Sequence, residues 1–165
     1  MEYGILGIVL FLVYKLMNKT TYNDKIYDSA FSLIGETEIV GAVNNPKIVE
    51  MANIYGYSDD DVAWCSSFVA YCVNESGLSV VGTTAAARSW LHWGLPTTTP
   101  KKGDICVMWR ESPSSVYGHV GIVDSVGTGY VTLISGNDNN AVRLRSFDSS
   151  KVLGYRTPDV LNATL

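Results

Sequence analysis

The periodicity of apolar residues changes once along this chain, near Pro100, and that change restricts the fold more than any other feature. Before it, apolar residues recur at helical spacing. After it they fall into short β-rich runs separated by Gly, Ser and Asn. Helices first and antiparallel strands second specify an α+β arrangement, with helices packed on a small antiparallel sheet. Ile26, Tyr27, Ala30, Phe31, Leu33 and Ile34 predict a helix that ends at Gly35. Asn45-Pro46 opens a second, with Asn45 as cap and Pro46 in the first turn. Ile48, Val49, Ala52 and Ile54 give it an apolar side before Gly56. In the next helix Cys65, Phe68, Val69, Cys72 and Val73 share one face. Ser58 and Asp59 to Asp61 supply its expected cap, and Gly77 its end. Ala85 to Leu91 predicts a short helix. Residues 103–109, 119–126, 130–135 and 141–146 predict strands, and 151–156 a last one.

The first residues follow a different rule. Tyr3 to Tyr14 carries no charge, and Leu16 and Met17 extend the apolar run past Lys15. A full span needs roughly 20 apolar residues, so the run is short, but Lys15 can snorkel and Tyr3 and Tyr14 suit an interface. A cleaved signal peptide would need a basic start and a small-residue site, whereas Glu2 precedes the run and MNKTTYND follows it. The expectation is an N-terminal membrane helix over 1–19, a short tether over 20–25, one domain over 26–160 and a tail over 161–165. Lys15, Lys19 and Lys25 after the run would hold the domain on the cytoplasmic side. The expected localisation is therefore membrane-anchored, in a virion membrane or a host cell membrane.

Of the 165 residues, 47% are hydrophobic and 17% charged, which places the chain among globular proteins. A net charge of −4, with no block of Lys or Arg, excludes nucleic acid as the main partner. Three cysteines without regular spacing make neither a disulfide framework nor a zinc signature, so no metal or other cofactor is expected.

One thiol and one imidazole carry the candidate chemistry. Cys65 falls at or near a helix start, where N–H groups and the helix dipole favour a thiolate. His119 begins a strand between Gly118 and Gly121, which permit close approach of another element. A Cys on a helix start facing a His on a strand start is a nucleophile–base pair. A small core residue and a structural strand-edge His are the plainer readings. Asn137 is the candidate to orient the imidazole, with Asp138 as alternative and a possible contribution from Ser135; Asn137 and Asp138 also read as turn formers. His92, among tryptophans, reads as packing or groove lining. Trp64, Trp90 and Trp93 are candidate substrate-binding aromatics, though Trp64 and Trp109 suit a core. Arg88, Arg110, Arg143 and Arg145 fit either a solvated surface or contacts to an acidic peptide. Cys72 and Cys106 read as buried small residues.

The segments DVAWCSSFVAYC, AAARSWLHWG, KKGDICVMWR, GHVGIV, ISGNDNNAV and GYRTP, in this order over residues 45–158, resemble the NlpC-type and CHAP peptidoglycan hydrolases. The resemblance implies a papain-like core, with Cys65 as nucleophile, His119 as base and Asn137 as polar third member. Ser135 stands near where CHAP enzymes often carry a carboxylate. The implied activity is hydrolysis of amide bonds in cell-wall peptide, within the stem or between muramic acid and L-alanine. Bacterial peptidoglycan and virion proteins are the implied partners of a phage-encoded lysin. A non-enzymatic anchoring protein of a virus particle, or a thiol acyltransferase on the same fold, are the competing functions.

Overall fold

A computed structural model describes residues 20–41 and 43–159. The membrane helix expected over 1–19 and the tail over 161–165 lie outside the described residues. Among the described residues no helix is long and apolar enough to cross a membrane.

Helix α1 spans Tyr22–Ser32. Residues 22–25, expected as tether, instead form its first turn. Thr21 and Asp24 close a capping box: the Thr21 hydroxyl accepts from the Asp24 N–H, and the Asp24 carboxylate accepts from the Thr21 N–H at 2.8 Å. Ile26 and Ala30 point into the core, and Asn23 donates to the buried Asp104 carboxylate at 2.7 Å. Helix α2 spans Pro46–Ala52, with Asn45 accepting from the Lys47 N–H at 2.8 Å. A 3-10 turn, Asn53–Tyr55, continues it to Gly56.

Helix α3 spans Cys65–Glu75, and its cap corrects the sequence reading. Trp64 is the N-cap residue and makes no side-chain cap. The acidic stretch is used elsewhere: the buried Asp60 carboxylate accepts from the Asn45 N–H at 2.9 Å, fastening the start of α2. The segment expected as a short helix over 85–91 is a 3-10 helix over Ala87–His92.

Six strands form one antiparallel sheet: β1 Leu95–Thr97, β2 Ile105–Trp109, β3 Gly118–Gly127, β4 Tyr130–Ser135, β5 Arg143–Asp148 and β6 Val152–Thr157. Their order is β1-β6-β2-β3-β4-β5. One face carries Ile105, Val107, Val120, Ile122 and Ile134 against Trp64, Phe68 and Val69 of the helical layer. The other carries Cys106, Met108, Val123, Val131 and Leu133 beneath Phe147, Val152 and Tyr155. Strand β4 pairs with β3 only from Ile122↔Ile134 onward, so the first residues of β3 are left unpaired on that side.

Gly136, just past β4, fixes how closely α3 approaches. A Cβ there would lie 2.5 Å from Trp64 Cζ3 and 2.6 Å from Phe68 Cβ. Gly136→Ala is expected to destabilise the domain by about 1–3 kcal/mol through overpacking, read as a lower urea midpoint at unchanged slope.

Candidate active site

Cys65 is the first residue of α3, and its sulfur sits against the backbone N–H of Val120 on β3. Cys65 belongs to the core cluster on the helix side of the sheet, beside the part of β3 that β4 leaves unpaired. Cys65 as a residue is 5% exposed. Burial pushes its thiol up, against the opposing pull of the Val120 N–H, the Arg110 charge and the N–H groups of Ser66 and Cys65. The helix start therefore does not yield a resting thiolate, contrary to the expectation from the dipole alone. Desolvation outweighs it.

His119 precedes Val120 and leaves the sheet on the other face, because side chains alternate along a strand. It lies opposite Met108 in register and packs on Phe147, with ring centroids 5.6 Å apart. The expected thiol–imidazole pair is thus only half assembled. Both groups reach the start of β3, but from opposite faces, and no hydrogen bond joins them. Catalytic hydrogen bonds in apo enzymes are often long or unformed and tighten only when substrate binds.

The partner that His119 does have was missed in the sequence. Arg110 Nη2 lies 3.1 Å from its Nδ1. A guanidinium only donates, so Nδ1 accepts and the neutral ring carries its proton on Nε2. That atom is buried without a partner. Burial first, then the charges of Arg110 and Arg145, lower His119 to about 3. At rest both thiol and imidazole are neutral.

The low value has a stability consequence. The ordinary value is 6.5, so between there and about 3 the unfolded chain binds a proton that the folded chain refuses. Stability is then fully present above the window and falls as pH falls through it, with a limiting slope of about 1.4 kcal/mol per pH unit. His119→Gln is expected to remove that component from a plot of urea-unfolding free energy against pH.

Asn137 sits in the turn after β4 with φ 52° and is half-buried. It makes no hydrogen bond to His119, and its positive φ suits a turn. Asp138 is committed to Arg145, accepting from Nε at 2.7 Å and Nη2 at 2.6 Å. Ser135 is buried on the same face as His119 and its hydroxyl has no partner. The glycines beside His119 do permit close approach: a Cβ on Gly121 would come within 3.0 Å of the Ser135 Cβ.

Trp64, Trp90 and Trp93 do not line a groove. They are 0%, 0% and 2% exposed. Their indole N–H groups donate to Glu38 at 2.8 Å, the Ser66 hydroxyl at 2.8 Å and the Ser79 carbonyl at 2.9 Å. Large aromatics with a satisfied polar atom are core residues, which corrects their assignment to substrate. His92 is exposed. Arg88 braces the 110–118 loop, donating to the Pro113 carbonyl at 2.9 Å. Cys72 and Cys106 are buried as expected, and burial pushes the Cys72 thiol up to about 12. Among the described residues no group of three or more His, Cys, Asp or Glu could hold a metal ion.

Helices on one face of an antiparallel sheet make an α+β fold, with a cysteine at a helix start and a histidine at the head of a central strand. Residues 57–137 match the family model of the CHAP domain. Among solved structures, NlpC1 from Trichomonas vaginalis has the same fold, with a TM-score of 0.51 at 16% identity over 84% of this chain and 45% of that one. An NlpC/P60 family protein from Bacillus cereus ATCC 10987 gives 0.49 at 14% identity, over 84% and 41%. Ly7917 gives 0.48 at 15%, over 84% and 63%. The chain spans less than two thirds of the length of each. No curated protein matches it.

Proposed function

We propose that this chain is a cell-wall lytic cysteine hydrolase that cleaves amide bonds of peptidoglycan, as a stem-peptide endopeptidase or an N-acetylmuramoyl-L-alanine amidase. The observation that carries the reading is the sulfur of Cys65 lodged at the head of β3, one residue from His119, inside the segment that matches the CHAP domain. His119 takes the thiol proton as the sulfur attacks the amide carbonyl. The tetrahedral adduct collapses to a thioester while His119 returns that proton to the leaving amine. Water, deprotonated by the same imidazole, then releases the acid and restores the thiol. The Cys65 backbone N–H is one donor for the oxyanion.

Mass analysis of fragments from defined muropeptides tests the reading. A new amine and a new carboxylate at one amide support hydrolysis, and an acylated acceptor amine would assign a transferase instead. A non-catalytic wall-binding or anchoring role is favoured by one observation, the guanidinium that occupies His119 Nδ1. Wall binding without any fragment would establish that alternative.

The uncharged run at Tyr3 to Tyr14 supports a membrane anchor, and with it a virion-associated, phage-encoded lysin. Purified particles containing the intact chain, resistant to protease until the membrane is opened, are the expected result. Release of the chain from membranes by high salt alone would rule out the anchor.

A further inference from the structure

On the sheet face away from the helices lies a cavity of about 180 Å³. Met108, Trp109, His119 and Phe147 line it together with Arg110, Arg145 and Lys151. Three cations and no carboxylate line it, in a chain whose net charge is −4. Asp138 holds Arg145 through two short hydrogen bonds, and the Arg145 guanidinium lies 4.3 Å from the Phe147 ring centre. That cation is fixed in place. Among the described residues Arg110 and Lys151 form no ion pair with a carboxylate. Arg110 is exposed and rests on His119 Nδ1. A neutral imidazole nitrogen is a weak partner for a guanidinium; a carboxylate offers two charge-assisted hydrogen bonds in matching geometry. An incoming carboxylate therefore out-competes the imidazole for Arg110.

We propose that this cavity takes a carboxylate of the substrate peptide, and that its occupation draws the Arg110 guanidinium off His119 and so releases the base. This deepens the hydrolase reading above and rests on it. Arg110 keeps the imidazole Nδ1 occupied while both reacting groups are neutral. A bound carboxylate removes the hydrogen bond and cancels positive charge beside the ring. Nδ1 is then free to accept a proton, and the imidazole regains basicity. The charged and titratable groups around His119 are Arg110 at the end of β2, Arg145 on β5, Lys151 in the turn before β6 and Cys65 on α3, with Asp138 behind Arg145. A peptide in which that carboxylate is amidated leaves the latch closed, so the device selects acidic peptide.

The test follows the His119 ring nitrogens by NMR in the full chain, with His92→Gln to remove the second histidine signal. Acetyl-alanyl-glutamate, as probe, is expected to raise the His119 pKa by roughly one unit or more. Its fully amidated counterpart is expected to leave it unmoved. Arg110→Gln is expected to raise it without any peptide. With peptide-amide substrates, the native chain is expected to favour the carboxylate form over the carboxamide by roughly tenfold in kcat/KM. Arg110→Gln is expected to bring that ratio close to one. Lys151→Gln, on the exposed rim, serves if Arg110→Gln does not fold, and should weaken the carboxylate-induced shift. Equal responses to acid and amide probes, or a His119 titration unchanged in Arg110→Gln, would overturn the latch. Cleavage with no carboxylate preference would leave the hydrolase standing without it. A carboxylate-specific shift with no cleavage of any substrate would leave an anion site and remove the hydrolase.

Discussion

Cys65→Ala is expected to lower the rate of wall turbidity loss by about a thousandfold or more, because every covalent step of the proposed mechanism passes through that sulfur. The variant should fold. Alanine fits the space a cysteine leaves, and exchange of one small buried side chain costs about 1 kcal/mol. Its far-ultraviolet circular dichroism and cooperative melt should therefore overlay the native curves while activity is gone. Cys72→Ala and Cys106→Ala are the matched controls. Both thiols are buried without approach to β3's open edge, and burial pushes both up, so neither is a nucleophile. Each should lose a little stability and keep its activity. Activity surviving in Cys65→Ala would mean that the sulfur at the head of α3 is packing and nothing else.

The elements were legible where one periodicity dominates. Strand β3 and strand β4 were read almost to the residue, because β-branched runs there are bounded by glycines. The three-residue edge strand β1 was not, since Pro96 cannot donate to a ladder and its neighbours carry no alternation. The start of α1 was legible and overlooked. Thr21 followed by Asp24 is a capping box, but the polar residues around it read as linker. In the site, Cys65 and His119 were legible as candidates and their relative placement was not. GHVGIV is apolar at both parities because the sheet is buried on both faces, so nothing in the segment says whether His119 or Val120 meets α3. That single parity decides whether the imidazole faces the sulfur or the cationic cavity. Arg110 was invisible as a partner for the same reason. Its position two residues after Met108 matters only once Met108 is known to pair with His119.

Trp90→Ala is expected to destabilise the domain by about 3–5 kcal/mol, lowering the melting temperature by on the order of 10 °C. Trp90 is fully buried, meets Trp93 edge-on at 5.4 Å and 61°, and donates to the Ser66 hydroxyl. Ser66 in turn donates to the Thr84 carbonyl at 2.6 Å. Removing the indole opens a cavity beside the first turn of α3, under the residue next to the proposed nucleophile. Relaxation into that cavity moves Cys65 relative to β3, so the folded fraction should also turn over more slowly. Trp90→Phe separates the two effects. It keeps most of the volume and leaves Ser66 its bond to Thr84, so the loss should shrink to about 1–2 kcal/mol for the missing indole hydrogen bond. A groove residue would behave the other way round, with stability unchanged to within about 0.5 kcal/mol and KM raised. Equilibrium unfolding of Trp90→Ala, set beside its KM measured well below the new melting point, decides between them. A stable variant with weakened substrate binding would return Trp90 to the substrate surface.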